Sequence, residues 1–179
     1  MKFSINKTKQ GLGELQTTLH WIVSISNPAA SAGDLEEDLQ IRVQTSSLPV
    51  AETETTQVEL QGHKINFVGK TSKAGEISWT FLEGTDAKVT GYFMAWANAR
   101  WGGDGSDTTG VQSLTADLKA DLKLELLGPD DEVTQTYTLI GAMPKLDAGG
   151  ELGQGSDPLS PVVTWEYDDF HVNAGGTNW

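Results

Sequence analysis

The stretch LPVAETETTQVELQGHKINFVGKTSKAGEISWTFLEGTDAKVTGYFMAWANARW, residues 48–101, decides the fold of this chain. A strand ends at Leu48-Pro49, and a polar arm over residues 50–68 follows it. The arm is too long and too polar for a tight connection between strands, so it is predicted to project from the core and to act outside it. So many residues in a projecting segment are more typical of a self-assembling protein than of an enzyme.

The second half of the same stretch predicts a strand and then a helix. Ile77, Trp79 and Phe81 alternate with polar residues and form one face of a strand. A helix is predicted over residues 86–101, with Asp86 as its cap. Its apolar stripe comprises Val89, Tyr92, Phe93 and Trp96. Because one helix cannot bury such a stripe alone, it is expected to cover an end or edge of a sheet.

Alternating apolar residues predict the remaining strands. The predicted strands cover residues 17–25, 39–44, 118–126, 133–140 and 162–172, with a Gly- and Pro-rich loop over 141–161. Residues 1–16 are expected to form a flexible N-terminal arm and residues 173–179 a loose C-terminal tail. The fold class predicted is mainly β, an antiparallel β-sandwich or barrel of about six or seven strands with one flanking α-helix.

Composition narrows the possible functions. The chain has 179 residues, a formal net charge of -13 and no cysteine. This length predicts a single domain, and the absence of cysteine excludes disulfides and thiolate metal sites. The acidic charge argues against nucleic-acid binding, which depends on Lys and Arg. The N-terminus lacks the apolar region of a signal peptide, and no apolar run is long enough to span a membrane, so a soluble cytoplasmic product is expected.

Signals for catalysis or metal binding are weak. His20, His63 and His171 have no Ser, Asp or second His at motif spacing. Residues 102–107, GGDGSD, fit the start of a calcium-binding nonapeptide repeat, but such sites need stacked copies, so a flexible loop is the preferred interpretation. Asp168-Asp169 is unsuited to acid–base work because adjacent strand residues point to opposite faces. The prediction is a non-enzymatic protein without cofactor or metal.

The six tryptophans could instead form a sugar-binding platform. Trp21, Trp79 and Trp165 fall in predicted strands and Trp96 on the helix stripe, so core packing is preferred for these four. An acidic β-sandwich that binds carbohydrate or protein through exposed Trp remains an alternative. It predicts a stable monomer.

The order of short motifs along the chain is similar to that of a known family. In sequence they are Leu48-Pro49, the arm, residues 64–69 (KINFVG), Trp79-Thr80-Phe81, the helix with Phe93 and Trp96, Gly141-x-x-Pro144 and residues 163–168 (VTWEYD). Over roughly residues 17–172 the chain resembles the tail tube proteins of contractile-tailed bacteriophages, which are related in fold to the type VI secretion tube protein. The segments at 145–160 and 34–38 depart from that pattern.

The resemblance implies a structural virion protein that forms hexameric rings stacked into the inner tube of a contractile tail, assembled in the bacterial host cytoplasm. It implies sheath, baseplate and tape-measure proteins as partners, and a lumen through which DNA passes without specific binding. A tailocin, a secretion system or a tube-initiating ring of a baseplate would share these features. The arm would contact neighbouring subunits through Lys64, Ile65, Asn66 and Phe67. Candidate lumen-facing residues are Gln40, Arg42, Gln44, Asp121 and Glu125.

Overall fold

The computed structural model describes residues 20–26, 37–101, 118–148, 157–175 and 177–178. The predicted N-terminal arm over 1–16 and the GGDGSD segment lie outside these residues. The strands are β1 (Trp21–Ser26), β2 (Val43–Ser46), β3 (Glu52–Leu60), β4 (His63–Ser72), β5 (Gly75–Phe81), β6 (Ala120–Leu127), β7 (Val133–Ala148), β8 (Val162–Tyr167), β9 (Asp169–Ala174) and β10 (Thr177–Asn178). The helices are α1 (Glu37–Gln40) and α2 (Lys88–Trp101).

Eight of these strands form one curled antiparallel sheet in the order β1-β6-β7-β8-β5-β2, with β9 paired to β7 and β10 paired to β9. The fold class predicted from the sequence is thereby confirmed. The strands outnumber the prediction for three reasons: the arm is itself a hairpin, β3–β4, the predicted last strand is two strands, β8 and β9, and β10 lies in the segment expected to be a loose tail.

A corner in the sheet makes it curl. The first half of β7 pairs with β6 and β9, and its second half pairs with β8. Between the halves lies Gly141, whose φ of 66° is a left-handed conformation that glycine adopts readily. Asp168, between β8 and β9, donates its amide to the carbonyl of Ile140 at 3.0 Å. Both chain segments therefore turn at the same point.

This corner corrects two predictions. The Gly- and Pro-rich loop expected over 141–161 is strand up to Ala148, because Gly141 redirects β7 without ending it. The single strand expected over 162–172 is interrupted at Asp168 for the same reason.

At the C-terminal end, Asn173 pairs with Asn178 and Ala174 with Thr177, so the segment expected to be loose begins inside the sheet.

The core lies on the concave face of the sheet. Alternation holds in β5 and over residues 120–124 of β6, where the apolar residues are buried and those between them are not. The fully buried residues of these two strands include Trp79, Phe81, Leu122 and Leu124. Helix α2 covers the β5–β8 part of this face, and it places its rings edge-on against those of the strands. The ring pairs are Phe93–Phe81 (5.3 Å between centroids), Phe93–Trp165 (5.7 Å) and Trp96–Trp165 (5.6 Å).

Two carboxylates hold the start of α2. Asp86 accepts a backbone hydrogen bond from Lys88, as a cap should. The sequence did not indicate the second, Glu83, whose carboxylate accepts the amides of Val89 (3.2 Å) and Thr90 (2.7 Å). Burial raises the pKa of Glu83, but the hydrogen bonds from Thr90, Val89 and Gly84 outweigh burial and leave its pKa below the ordinary value. These hydrogen bonds therefore stabilise the first turn of the helix.

The segment predicted as a strand over residues 39–44 begins as a helical turn, which corrects that prediction. Ile41 donates its amide to the carbonyl of Glu37 at 3.2 Å. The turn buries Leu39 in the core and leaves Ile41 83% exposed, so these alternating residues do not share a face. Strand structure starts only at Val43.

Neither described helix is long and apolar enough to span a bilayer.

Candidate functional site

The predicted arm is a β-hairpin that stands apart from the main sheet. Strands β3 and β4 are nine and ten residues long, and within the described chain they pair only with each other. Gln61 and Gly62 connect them, with φ values of 49° and 81°. Two consecutive positive φ angles are typical of the two-residue turn whose twist suits a hairpin. Every residue from Glu52 to Thr71 is exposed.

The strand register places most of the large apolar side chains of the hairpin on one face; Val68 lies on the other. Val58 lies opposite Ile65 and Thr56 opposite Phe67. Val58, Leu60, Ile65 and Phe67 are 42%, 61%, 45% and 53% exposed, respectively. We call these four residues the apolar face of the hairpin. Because single exposed apolar residues are common but a continuous row is not, this face is suited to contact another surface.

The opposite face of the hairpin is polar except for Val68. The side-chain amide of Gln57 donates to that of Asn66 at 3.2 Å, and Glu59 lies opposite Lys64. Near the base, the hydroxyls of Thr53 and Thr71 are 3.2 Å apart. These cross-strand pairs fix the register and therefore the separation of the two faces.

A hairpin that no other layer covers is expected to have little stability of its own. Two-stranded hairpins are marginal in water unless a further layer packs on one face. With ~3.4 Å of rise per residue, the nine residues of β3 give the hairpin a length of ~30 Å. The hairpin therefore presents a face that a further layer could cover.

The four predicted arm residues all lie on β4, but they divide between its faces. Ile65 and Phe67 belong to the apolar face, while Lys64 and Asn66 belong to the polar face. Sequence reasoning missed Val58 and Leu60 on β3. The alternation TQVEL over residues 56–60, followed by Gln61-Gly62, was the signal that could have identified them.

The predicted lumen-facing residues lie in different parts of the sheet order. Gln40 lies in α1 and Gln44 in β2, at one end of the sheet order. Asp121 and Glu125 lie on β6, next to the opposite end. Asp121 is also engaged locally, since its carboxylate accepts the amide of Gly141 at 3.1 Å. Lumen exposure of any of these residues remains a prediction.

Arg42, the fifth of that group, makes a structural ion pair. Its guanidinium donates two hydrogen bonds to the carboxylate of Asp86, at 2.9 and 2.8 Å. Hydrogen bonding to Arg42 lowers the pKa of Asp86 to about 2. The same network includes Asp38, which accepts a hydrogen bond from Lys88 at 2.6 Å. Arg42 thus links α1 to the start of α2.

Groups that could do chemistry are dispersed. His20 lies 3.7 Å from Asp131, His63 follows the hairpin turn and His171 is on β9. Asp168 is bound by Lys119, and Asp169 accepts the amide of Phe170 at 2.7 Å. In the described part of the chain, no group of three or more His, Cys, Asp or Glu side chains is placed to hold a metal ion.

The tryptophan side chains that the structure describes are in or beside the core, as predicted. Trp79, Trp96 and Trp165 are buried, and Trp21 packs against the core while partly exposed. The indole of Trp96 donates to the carbonyl of Leu118 at 3.0 Å. These four side chains therefore do not provide an exposed aromatic platform. Trp101 and Trp179 lie outside the described side chains.

Two strands end the main sheet order. β1 pairs only with β6 and β2 only with β5 among the described strands. Each therefore has one backbone edge that another chain could pair with. The exposed hairpin and these two edges are surfaces through which copies of the chain could join.

No protein-family model matches this chain. No curated protein matches it either. Solved structures do share its fold. A chain of the cryo-EM structure of an extracellular contractile injection system, the PVC sheath/tube terminator in the extended state, matches with a TM-score of 0.62 and 13% identity over 91% of this chain and 99% of that one.

Two further structures support the same fold assignment. A chain of the 6-fold symmetrised anti-feeding prophage (AFP) baseplate matches with a TM-score of 0.60 and 15% identity, covering 89% of this chain and 96% of that one. A chain of the PVC sheath–tube complex in the extended state gives 0.58 and 12% identity, covering 97% and 99%. The chain therefore has the fold of these components of contractile injection systems.

Proposed function

We propose that this chain is a structural subunit, without enzymatic activity, that polymerises into the tube of a contractile particle. The observation that carries the proposal is the apolar face of the hairpin, which the monomer leaves uncovered. Burying it costs no rearrangement of the core, because the hairpin pairs with no other described strand. The likeness to chains of sheath–tube and baseplate structures supports a tube over other assemblies.

Rings and a stacked tube follow from two kinds of contact. A contact between unlike surfaces of two copies closes into a ring when its rotation completes a circle, and otherwise continues as an open filament. We infer that the free edges of β1 and β2 serve ring closure, in rings of six, and that the hairpin serves stacking. Sheath, baseplate and tape-measure proteins would then be the partners of the tube.

The finer proposal is the inner tube of a phage tail, through which DNA passes during ejection. Its physical support is the net charge of -13, since an acidic surface repels a phosphate backbone. A lumen of that sign would let DNA slide without binding.

Negative-stain electron microscopy of the purified protein at high concentration tests the proposal. We expect rings or tubes from the unmodified chain. The double variant Ile65→Ser and Phe67→Ser should remain a folded monomer that forms no tubes, because it removes two members of the apolar face. The matched control is Gln57→Ser with Asn66→Ser on the opposite face, which should still form tubes.

Dispersed monomers of the unmodified chain at all concentrations would contradict the proposal and favour a monomeric binding module. Tubes of normal appearance from the Ile65→Ser and Phe67→Ser variant would instead show that the hairpin does not join subunits. Far-ultraviolet circular dichroism of each variant establishes that a loss of tubes is not a loss of fold.

A further inference from the structure

The exposed hairpin contains a β-bulge near its base, because β4 has one residue more there than β3. The register on either side of the irregularity is given by two pairs, Thr53–Thr71 and Thr55–Val68. Between these pairs β3 contributes only Glu54, whereas β4 contributes both Gly69 and Lys70. An extra residue of this kind bends the strand that carries it and increases the local twist. The part of the hairpin beyond the bulge, residues 55–68, therefore leaves the base at an angle that the bulge sets. We call these residues the outer hairpin.

The extra residue also decides which face of β4 carries the apolar side chains. Residues separated by an even number of positions share a face of a regular strand, so without the bulge Phe67 would share a face with Thr71. In the structure Phe67 lies opposite Thr56 on the apolar face. The hydroxyl of Thr71 instead lies 3.2 Å from that of Thr53, which is three positions before Thr56 and thus on the other face. The bulge therefore turns the outer part of β4 over relative to its base.

Gly69 makes the close approach of the two strands at the bulge possible. A Cβ at this position would lie 2.9 Å from the carbonyl oxygen of Glu54 and 3.4 Å from its carbonyl carbon. These atoms belong to the main chain of the paired strand, so they cannot give way without separating β3 from β4. The φ angle of Gly69 is not in the left-handed region, so the glycine is explained by lack of space and not by backbone conformation.

The base of the hairpin is attached to the core on both sides. Just after β4, the ammonium of Lys73 lies 5.7 Å from the centroid of the Phe170 ring, a cation–π distance. Phe170 is buried and packs edge-on against the ring of Tyr167. In the chain that leads into β3, the amide of Ser47 donates to the carbonyl of Ser78 on β5 at 3.4 Å. The bulge therefore bends the hairpin from a base that the core holds in place.

We propose that Gly69 is a positioning residue for assembly, because the bulge it permits sets the direction in which the apolar face is presented to the next copy. The inference rests on the proposed self-assembly. The six outer residues of β3 span ~20 Å, so a change of ~15° at the bulge moves the tip by ~5 Å. A displacement of that size exceeds what a packed contact tolerates, so the direction of the outer hairpin matters as much as its residues.

Deletion of Gly69 tests the proposal, because it makes the ladder regular while it keeps every residue of the apolar face. The critical concentration for tube formation, measured by sedimentation, should rise ~10-fold or more, since the face must be reoriented at a cost before it binds. Gly69→Ala keeps the number of residues but forces the strands apart, and should raise that concentration ~3-fold or more. Lys70→Ala retains the bulge and is the matched control, with a change within ~2-fold.

A distance measurement separates direction from content. The chain has no cysteine, so spin labels can be attached to introduced cysteines alone. His63→Cys at the tip is paired in turn with Asp130→Cys and with Glu37→Cys, both exposed positions on the body. Pulsed electron paramagnetic resonance of the monomer, below the critical concentration, should give one narrow distance for each pair. Deletion of Gly69 should change at least one of them by ~5 Å, and Lys70→Ala should change neither.

The inference is overturned if the Gly69 deletion assembles like the unmodified chain, if it is no worse than Lys70→Ala, or if neither distance changes. A broad distance distribution in the unmodified background would also overturn it, because the direction of the outer hairpin would then not be fixed. If circular dichroism shows that the deletion does not fold, Gly69→Ala is judged by the same two measurements. Tubes from the unmodified chain leave the proposed function standing in each case, whereas their absence would remove that function itself.

Discussion

Two hairpins of this molecule share an alternation of apolar and polar residues, but the apolar face of one is buried and that of the other is exposed. In β6–β7, Leu122 lies opposite Leu139 and both side chains are completely buried. In β3–β4, Val58 lies opposite Ile65 and both remain largely exposed. Each hairpin alternates apolar and polar residues over most of its length, and most of its apolar residues share one face. Only the first has the rest of its own chain to cover the apolar face.

The comparison shows what alternation can and cannot predict. It predicts which side chains share a face, because the period of a strand is two residues. It does not predict what covers that face, since the cover comes from distant parts of the chain or from another molecule. In this protein the first kind of cover stabilises the subunit, and we infer that the second kind builds the assembly.

Equal truncations in the two hairpins should separate these roles, and this is the largest effect we expect. Leu124→Ala removes buried side-chain volume from β6 and should lower the free energy of unfolding by ~2–5 kcal/mol. Leu60→Ala on the exposed hairpin should change it by less than ~0.5 kcal/mol. Urea denaturation followed by circular dichroism measures both. Similar losses for the two variants would mean that the monomer already covers the apolar face.

Predictions of the fold succeeded where alternation coincides with the core. The apolar faces of β5 and β6 were identified because their residues alternate without interruption. The strand predicted from Leu39 failed, since a helical turn buries Leu39 while Ile41 faces solvent. The loop predicted from Gly141 failed because glycine can redirect a strand as well as end it.

Predictions of the candidate site were limited by distance along the chain. The projecting arm and its apolar residues Ile65 and Phe67 follow from local composition, and the structure shows them exposed. The pairing of Glu76 with Glu166, 90 positions later, could not be predicted, because it depends on the order of strands in the sheet. Sequence periodicity carries no information on such pairings.

Replacing the glycine at the sheet corner or the one at the hairpin turn should have different effects on stability, a second and smaller contrast between the two regions. Gly141→Ala places a Cβ against the carboxylate of Asp168 at a left-handed φ, and should cost ~1–3 kcal/mol of global stability. Gly62 also has a positive φ, but a Cβ there meets no atom within 4 Å. Gly62→Ala should strain only the hairpin, so its midpoint of thermal unfolding should match the unmodified chain. A large shift for Gly62→Ala would show that the hairpin folds cooperatively with the core.

The smallest change in stability that we expect comes from replacing Glu83 at the start of α2. Glu54 on the exposed hairpin is the residue compared with it. Glu83→Ala leaves the amides of Val89 and Thr90 without their acceptor, and should cost ~0.5–2 kcal/mol, as the loss of a helix cap does. Glu54→Ala is the control, and it should be close to neutral because Glu54 is exposed. Chemical denaturation at neutral pH measures both.

The pH dependence of stability tests whether the charge of Glu83 is responsible for this stabilisation. Its pKa is lower in the folded chain than the ordinary value of 4.5, so the folded state favours the ionised form. Its contribution is therefore complete above that value and is lost as the pH falls through the lower folded pKa. The stability difference between the unmodified chain and Glu83→Gln should shrink over that acid range. A difference that stayed constant down to low pH would attribute the cap to shape and hydrogen bonding and not to the carboxylate charge.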